Sequence, residues 1–208
     1  MEIFISIDGV IRNTIQKFDY HYKNEFIDSE FDEEKTFENG ISDKVLNDNL
    51  FNYYKFQDKN EYDFFLYMEY PIEIFGHAGE TKLNSVEHLN QLHNLIEDMG
   101  HTPIVFSKEL NNSKPATLFF LSKLSAKVNN IVFVKDYHKK WEHVDVLITA
   151  NPTTLETKPK EKVSIKVINH YNKDCDADYT ILDLKEILDD KKILEKILGT
   201  ETIEFEDI

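Results

Sequence analysis

The sequence predicts an α/β fold: a doubly wound, Rossmann-like parallel sheet of about five strands, with a small helical cap inserted after strand one. Three observations lead there. Five short apolar runs rich in Ile and Val lie between helical or polar stretches, at residues 3–7, 102–106, 130–134, 145–149 and 163–168. That is the pattern of parallel strands buried on both faces. The stretches joining the second run to its neighbours carry apolar residues at helical spacing, so strand and helix alternate as right-handed crossovers require. Residues 14–80 break the alternation, and an inserted cap explains them.

Taken in order, the first run is "IFISI", residues 3–7. The acidic stretch "DSEFDEEKTFENG" then reads as a solvated loop. It lacks the alternating oxygen ligands and central Gly of an EF-hand calcium loop. "SDKVLNDNLFNYYKF" and "NEYDFFLYMEYPIEIF" are aromatic-rich and look helical. Tyr53, Tyr54, Phe64, Phe65 and Tyr67 are expected to form the cap's core, with base stacking by one ring as the alternative. In "TKLNSVEHLNQLHNLIEDMGH", Val86, Leu89, Leu92, Leu95, Ile96 and Met99 recur at helical spacing, and Gly100 supplies the stop. "SKPATLFFLSKLSA" repeats the arrangement with Leu118, Leu121 and Leu124. "LDLKEILDDKKILEKILG" closes the chain as one amphipathic helix before the polar "TETIEFEDI". The division is therefore an α/β core of residues 1–13 and 81–200, a cap of 14–80 and a tail of 201–208.

Composition excludes several functions. Lys and Arg number 24 against 39 Asp and Glu, a net charge of −15, and the basic residues are scattered. Nucleic acid would be repelled, so direct binding to it is not expected. The single Cys175 excludes an internal disulfide and a CxxC metal site, which suits a reducing compartment. No apolar stretch approaches the roughly 20 residues of a membrane span, and no signal peptide is recognisable, so a cytoplasmic protein is expected. There is no HExxH motif, and His88 and His93 are spaced to splay apart on a helix, so neither is expected to ligate metal. Trp141 precedes the fourth run and is expected near the surface as a candidate partner contact.

In open α/β sheets, ligands sit beyond the carboxyl ends of the strands. Strand one delivers Ser6 and Asp8 there, strand two Ser107, the following helix start Lys114, and strand four Thr149, Ala150 and Asn151. In that order, "ISIDGVIRN", "HTPIVFSKE", "KPATLFFLSKL" and "DVLITANP" resemble the four sequence blocks of the haloacid dehalogenase superfamily, over about residues 1–190. The cap length and the last block most resemble its 5′(3′)-deoxyribonucleotidase branch.

The resemblance implies a phosphatase site. One Asp attacks phosphorus, a second serves as general acid and base, a Ser or Thr and a Lys hold the phosphate, and further acids hold Mg²⁺. Asp8 matches the acid and base, Ser107 the hydroxyl and Lys114 the lysine, with Lys108 and Lys123 as alternatives. Ser6 falls on the nucleophile, and Thr149 and Ala150 fall on the metal-binding acids. A serine needs an adjacent base, and losing a hydrolase nucleophile costs on the order of 10⁶ in turnover. Mg²⁺ usually keeps one or two protein carboxylates, and Asp145 stands too early, at its strand's start.

The expectation is therefore a catalytically inactive, pseudo-phosphatase member with no bound cofactor, serving as a binding or structural assembly module whose partners are other proteins. Gly9, Ser107 and Lys114 could still hold a phosphate or nucleotide. The acidic, Asn- and Lys-rich, aromatic composition points to a larger particle, a viral one among them, in the host cytoplasm or virion. The alternatives are a nucleotidase or phosphatase with altered chemistry, in which Mg²⁺ would be needed and Asp8 attacks or activates water, and a phosphate or nucleotide binder without turnover.

Overall fold

The computed structural model describes residues 1–25, 54, 56–134, 141–142, 144–169, 171–190 and 192–198. Among these residues six strands form one sheet: β1 Glu2–Ser6, β2 Thr102–Lys108, β3 Ile131–Val134, β4 Val146–Thr149, β5 Val163–Val167 and β6 Tyr179–Ile181. Their order is β3-β2-β1-β4-β5-β6 and every pairing is parallel. The chain winds outward from β1 to β2 and β3, then returns to β4 on β1's other side. The switch point, where such sheets hold ligands, thus lies at the carboxyl ends of β1 and β4.

The five expected strands are present to within a few residues. β6 is additional: of its three residues only Ile181 is buried, so it leaves no apolar run to read. Alternation along the strands separates two cores. Ile3, Ile5, Val105, Val146, Ile148 and Ile165 face one way, against Val86, Leu89, Leu92 and Ile96 of α3, Ser85–Asp98. Phe4, Ile104, Phe106 and Leu147 face the other way, against Val144 and Trp141. Trp141 is therefore buried rather than near the surface, and its indole N–H donates to the Thr154 carbonyl at 3.0 Å.

Helix α4, Ser113–Lys123, buries Ala116, Thr117, Phe120 and Leu121, whereas Leu118 is 48% exposed. The buried face of this helix runs through positions 116, 117, 120 and 121; Leu118, about 100° further round than Thr117, lies off it, while Leu121 and Leu124 pack against the core. The closing helix is two: α6 Leu184–Asp189, capped by the Asp183 carboxylate accepting from Lys185 N, and α7 Lys192–Leu198. They separate at Asp190, whose backbone is extended at φ −126° and ψ 91°.

Within residues 14–80, α1 spans Thr14–Glu25 and α2 spans Lys59–Phe64. Helix α2 runs on into two π-helical turns, Phe65–Glu69 and Ile72–Gly76. Phe18 and Tyr22 of α1, with Tyr54, Phe56, Phe65, Tyr67, Ile74 and Phe75, form a separate aromatic core. Phe64 is not part of it, being 56% exposed. The acidic stretch, most of the first aromatic-rich segment with Tyr53, and the tail lie outside the described residues. Among the described residues no helix is long and apolar enough to cross a membrane.

Candidate functional site

The site begins where β1 ends. Gly9 takes the left-handed conformation at φ 75°, which glycine adopts without a Cβ penalty. The N–H groups of Ile11 and Arg12 donate to the Ile7 carbonyl, and that of Gly9 donates to the Arg12 carbonyl at 2.9 Å. The turn folds the Arg12 guanidinium back onto Asp8: Nη2 is 2.7 Å and Nε 3.0 Å from Oδ1. Thr14 donates its hydroxyl to the same oxygen.

The Arg12 side chain is wholly buried, with two further sets of partners. Nη2 also donates to Glu109 Oε1 at 2.8 Å, and Nη1 donates to the Phe75 carbonyl at 3.3 Å and to the Thr117 hydroxyl. The Phe75 and Phe120 rings lie 4.9 and 5.6 Å from its guanidinium carbon. Ser107 Oγ is 3.0 Å from both Asp8 Oδ2 and Glu109 Oε1, so its one proton serves one carboxylate at a time. Arg12 thus binds the end of β1, the residue after β2, α4 and the second π-helical turn into one charge network.

That network drives its two carboxyl groups apart. The half-buried setting of Asp8 would raise it, but the Arg12 charge and the hydrogen bonds from Thr14, Arg12 and Ser107 outweigh that and hold Asp8 below the ordinary carboxylate range. Glu109, with no side-chain exposure, is pushed up by burial and by the Asp8 charge, against the opposing pull of Arg12. Its Oε2 has no hydrogen-bond partner among the described residues.

A raised folded-state value means that the native chain holds the Glu109 proton more tightly than the unfolded chain does. Its contribution is therefore complete below the ordinary value of 4.5 and is lost as pH rises through the folded value. Asp8 acts oppositely, its contribution being lost as pH falls below the ordinary 3.8. Urea midpoints measured from 4.5 upward should fall with pH in the wild type and fall less in Glu109→Gln. Parallel profiles would remove Glu109 as the cause.

The other expected residues are placed as follows. Ser6, nearly buried, donates its hydroxyl to Thr149 Oγ1 at 3.1 Å, and Thr149 Oγ1 also accepts from Asn151 N at 3.2 Å. Ala150 is buried beside them. Asn151 caps α5, Pro152–Glu156, its Oδ1 accepting from Thr154 N at 2.8 Å, with Pro152 in the first turn. The "NP" of the last sequence block is thus a helix start.

Lys114 lies with Nζ 5.8 Å from the centre of the Phe133 ring and makes no ion pair with Asp8. Of its alternatives, Lys123 donates to the Gly76 carbonyl at 3.1 Å and Lys108 is the last residue of β2. A Cβ on Gly9 would run into the Tyr171 hydroxyl and would meet Ala150 Cβ at 2.8 Å. Tyr171 therefore covers Gly9, and burial pushes its phenol well up. The structure brings Ser6, Asp8, Gly9, Ser107, Thr149 and Ala150 to one end of the sheet. It turns the polar groups of Ser6, Asp8 and Ser107 onto each other's neighbours.

No protein-family model matches the chain, and no curated protein matches it. Among solved structures it is similar to the crystal structure of a haloacid dehalogenase-like hydrolase from Burkholderia xenovorans LB400. The TM-score is 0.54 at 10% identity, over 93% of this chain and 97% of that one. The chain has a haloacid dehalogenase-like α/β fold. At this identity the likeness carries the fold alone.

In a haloacid dehalogenase-like fold the ends of β1 and β4 are where a divalent cation would be held, and the donor set here does not fit one. Ser6 and Thr149 offer hydroxyls already bonded to each other, Ala150 offers a methyl group, and the Asp8 carboxylate is on Arg12. Mg²⁺ asks instead for free carboxylate oxygens in near-octahedral array. Among the described residues no group of three His, Cys, Asp or Glu is placed to hold a metal ion.

Sequence reasoning missed Arg12, Glu109, Thr117 and Tyr171. The signal for Arg12 was its place directly after the buried Val10 and Ile11, a position where a charge survives only when paired. Glu109 follows the buried end of β2 in the same way, whereas nothing in the sequence marks Tyr171.

Proposed function

We propose that this haloacid dehalogenase-like protein, a degenerate relative of the nucleotidase branch with residues 14–80 as its cap, does not transfer phosphoryl groups. It serves as a binding or assembly module for other proteins, in a reducing, cytoplasmic setting suited to its lone Cys175. The observation that carries this reading is the Arg12–Asp8 pair, with a contact of 2.7 Å. A general acid must give up its proton near the working pH, and a carboxylate held ionised by a buried guanidinium and two hydroxyls has no proton to give. Ser6 has Thr149, not a base, beside its hydroxyl, so it lacks the activation a serine nucleophile needs.

The altered-enzyme reading draws on one feature, two neighbouring carboxyl groups pushed in opposite directions, an arrangement typical of acid and base pairs. Exposure weighs against it. Asp8 is 39% exposed along its side chain but Glu109 is at 0%, behind Arg12, and cannot meet a substrate. Steady-state assays with p-nitrophenyl phosphate and nucleoside monophosphates in Mg²⁺ should show no hydrolysis above buffer. Turnover that vanishes in Asp8→Asn would overturn the proposal.

A further inference from the structure

Loss of the acids at positions 6, 149 and 150 accounts for missing chemistry but would leave an open space at the switch point. Part of the chain lies over that point. The loop after β5 turns back over the ends of β1 and β4, held by the buried Asn172 and Lys166 and the half-buried Asn169. Asn172, fully buried, donates from Nδ2 to the Ala150 and Val167 carbonyls, each at 2.9 Å, and its Oδ1 accepts from Asn169 N at 2.9 Å. Asn169 Oδ1 in turn accepts from Tyr171 N at 3.3 Å. Lys166, paired with Thr149 in the β4–β5 register and 5% exposed, donates from Nζ to the Cys175 carbonyl at 2.6 Å and to that of Lys173 at 3.4 Å. Burying an ammonium is costly unless it is hydrogen-bonded, so this lysine is committed to holding the loop. The loop carries the Tyr171 hydroxyl onto Gly9, beside Ala150.

We propose that the loop after β5 is a built-in stopper of this site, and that Tyr171 is the group that keeps a divalent cation, and the phosphate it would bring, away from the ends of β1 and β4. The proposal rests on the non-hydrolytic reading above and adds a consequence: restoring acids by substitution does not reopen the site while Tyr171 stays.

The test uses the full chain and Mn²⁺ alone, followed by the paramagnetic resonance signal of the free ion. Ser6→Asp with Ala150→Asp should leave that signal at its protein-free level. Adding Tyr171→Ala should lower it, with apparent affinity rising roughly tenfold or more. Equal binding by both variants, or none by the folded triple variant, overturns the stopper.

A second measurement needs no restored site. Gly9→Ala should lower the unfolding midpoint, and Tyr171→Phe should give back part of the fall. The Phe substitution removes the hydroxyl and leaves the ring carbon Cζ at an ordinary 3.7 Å from the new Cβ. The strain at φ 75° is common to both backgrounds, so the cycle isolates the contact. Additive effects overturn the proposal as well. Hydrolysis by the unaltered protein would sink the functional reading on its own, whereas Mn²⁺ binding with Tyr171 in place sinks the stopper alone.

Discussion

Arg12→Met is expected to lower folding stability by about 3–5 kcal/mol, the usual cost of removing one partner from a buried ion pair. The loss comes from what is left behind. Glu109 stays fully buried without its cation, and the Phe75 carbonyl and Thr117 hydroxyl lose their donor. Arg12→Lys should recover little, because an ammonium cannot reproduce the planar fork that reaches Asp8, Glu109 and Thr117 together. Adding Glu109→Gln to Arg12→Met should return part of the loss by removing the uncompensated charge. Urea unfolding checks this as a lower midpoint at an unchanged slope. A loss under about 1 kcal/mol, the value of an exposed pair, would mean that the network does not hold these elements together.

Phe18→Ala should cost a similar amount, about 3–5 kcal/mol, but in one part of the molecule. The Phe18 ring is 1% exposed and meets five others: Tyr54 at 4.7 Å, Phe65 at 5.7 Å, Tyr62 at 6.0 Å, and Tyr22 and Phe56 at 6.4 Å. These are edge and offset distances at which rings attract beyond their area burial. Truncation opens a cavity between α1 and the segment of α2 and the π-helical turns. Hydrogen exchange should then show lost protection in α1 and residues 56–76, while β1, β2 and β4 keep theirs. Uniform loss across the sheet would show that the two cores melt as one unit.

Much of the sheet was legible because a strand buried on both faces is usually an apolar run, and β1, β2 and β4 are such runs, whereas β5 is marked by Val163, Ile165 and Val167 alternating with the buried Ser164 and Lys166. β6 was not, since an edge strand of three residues with one buried side chain has no such requirement. The break at Asp190 was hidden because Ile187, Leu194 and their neighbours keep an amphipathic spacing across it. At the site, the sequence showed which residue types were missing at positions 6 and 150. It could not show what replaced their interactions. Glu109 stands 97 positions from Arg12, and only the parallel pairing of β1 with β2 brings them to 2.8 Å. Tyr171 follows β5 by a few residues, and its position over Gly9 depends on Asn172 and Lys166, ordinary polar residues until buried.

A protein without phosphoryl-transfer activity needs Asp8 only as a structural carboxylate. Acid–base residues are commonly held at a cost in stability, so replacing one leaves a fold as stable or more so, whereas replacing a structural anion weakens it. The decisive measurement is the unfolding midpoint of Asp8→Asn beside the wild type at neutral pH. The predicted result is a loss of about 1–3 kcal/mol, because Asn keeps one acceptor oxygen but removes the charge that Arg12 meets at 2.7 Å and the second oxygen that accepts from Ser107. A midpoint that rises or holds, together with a phosphate-ester hydrolysis that the substitution abolishes, would contradict it.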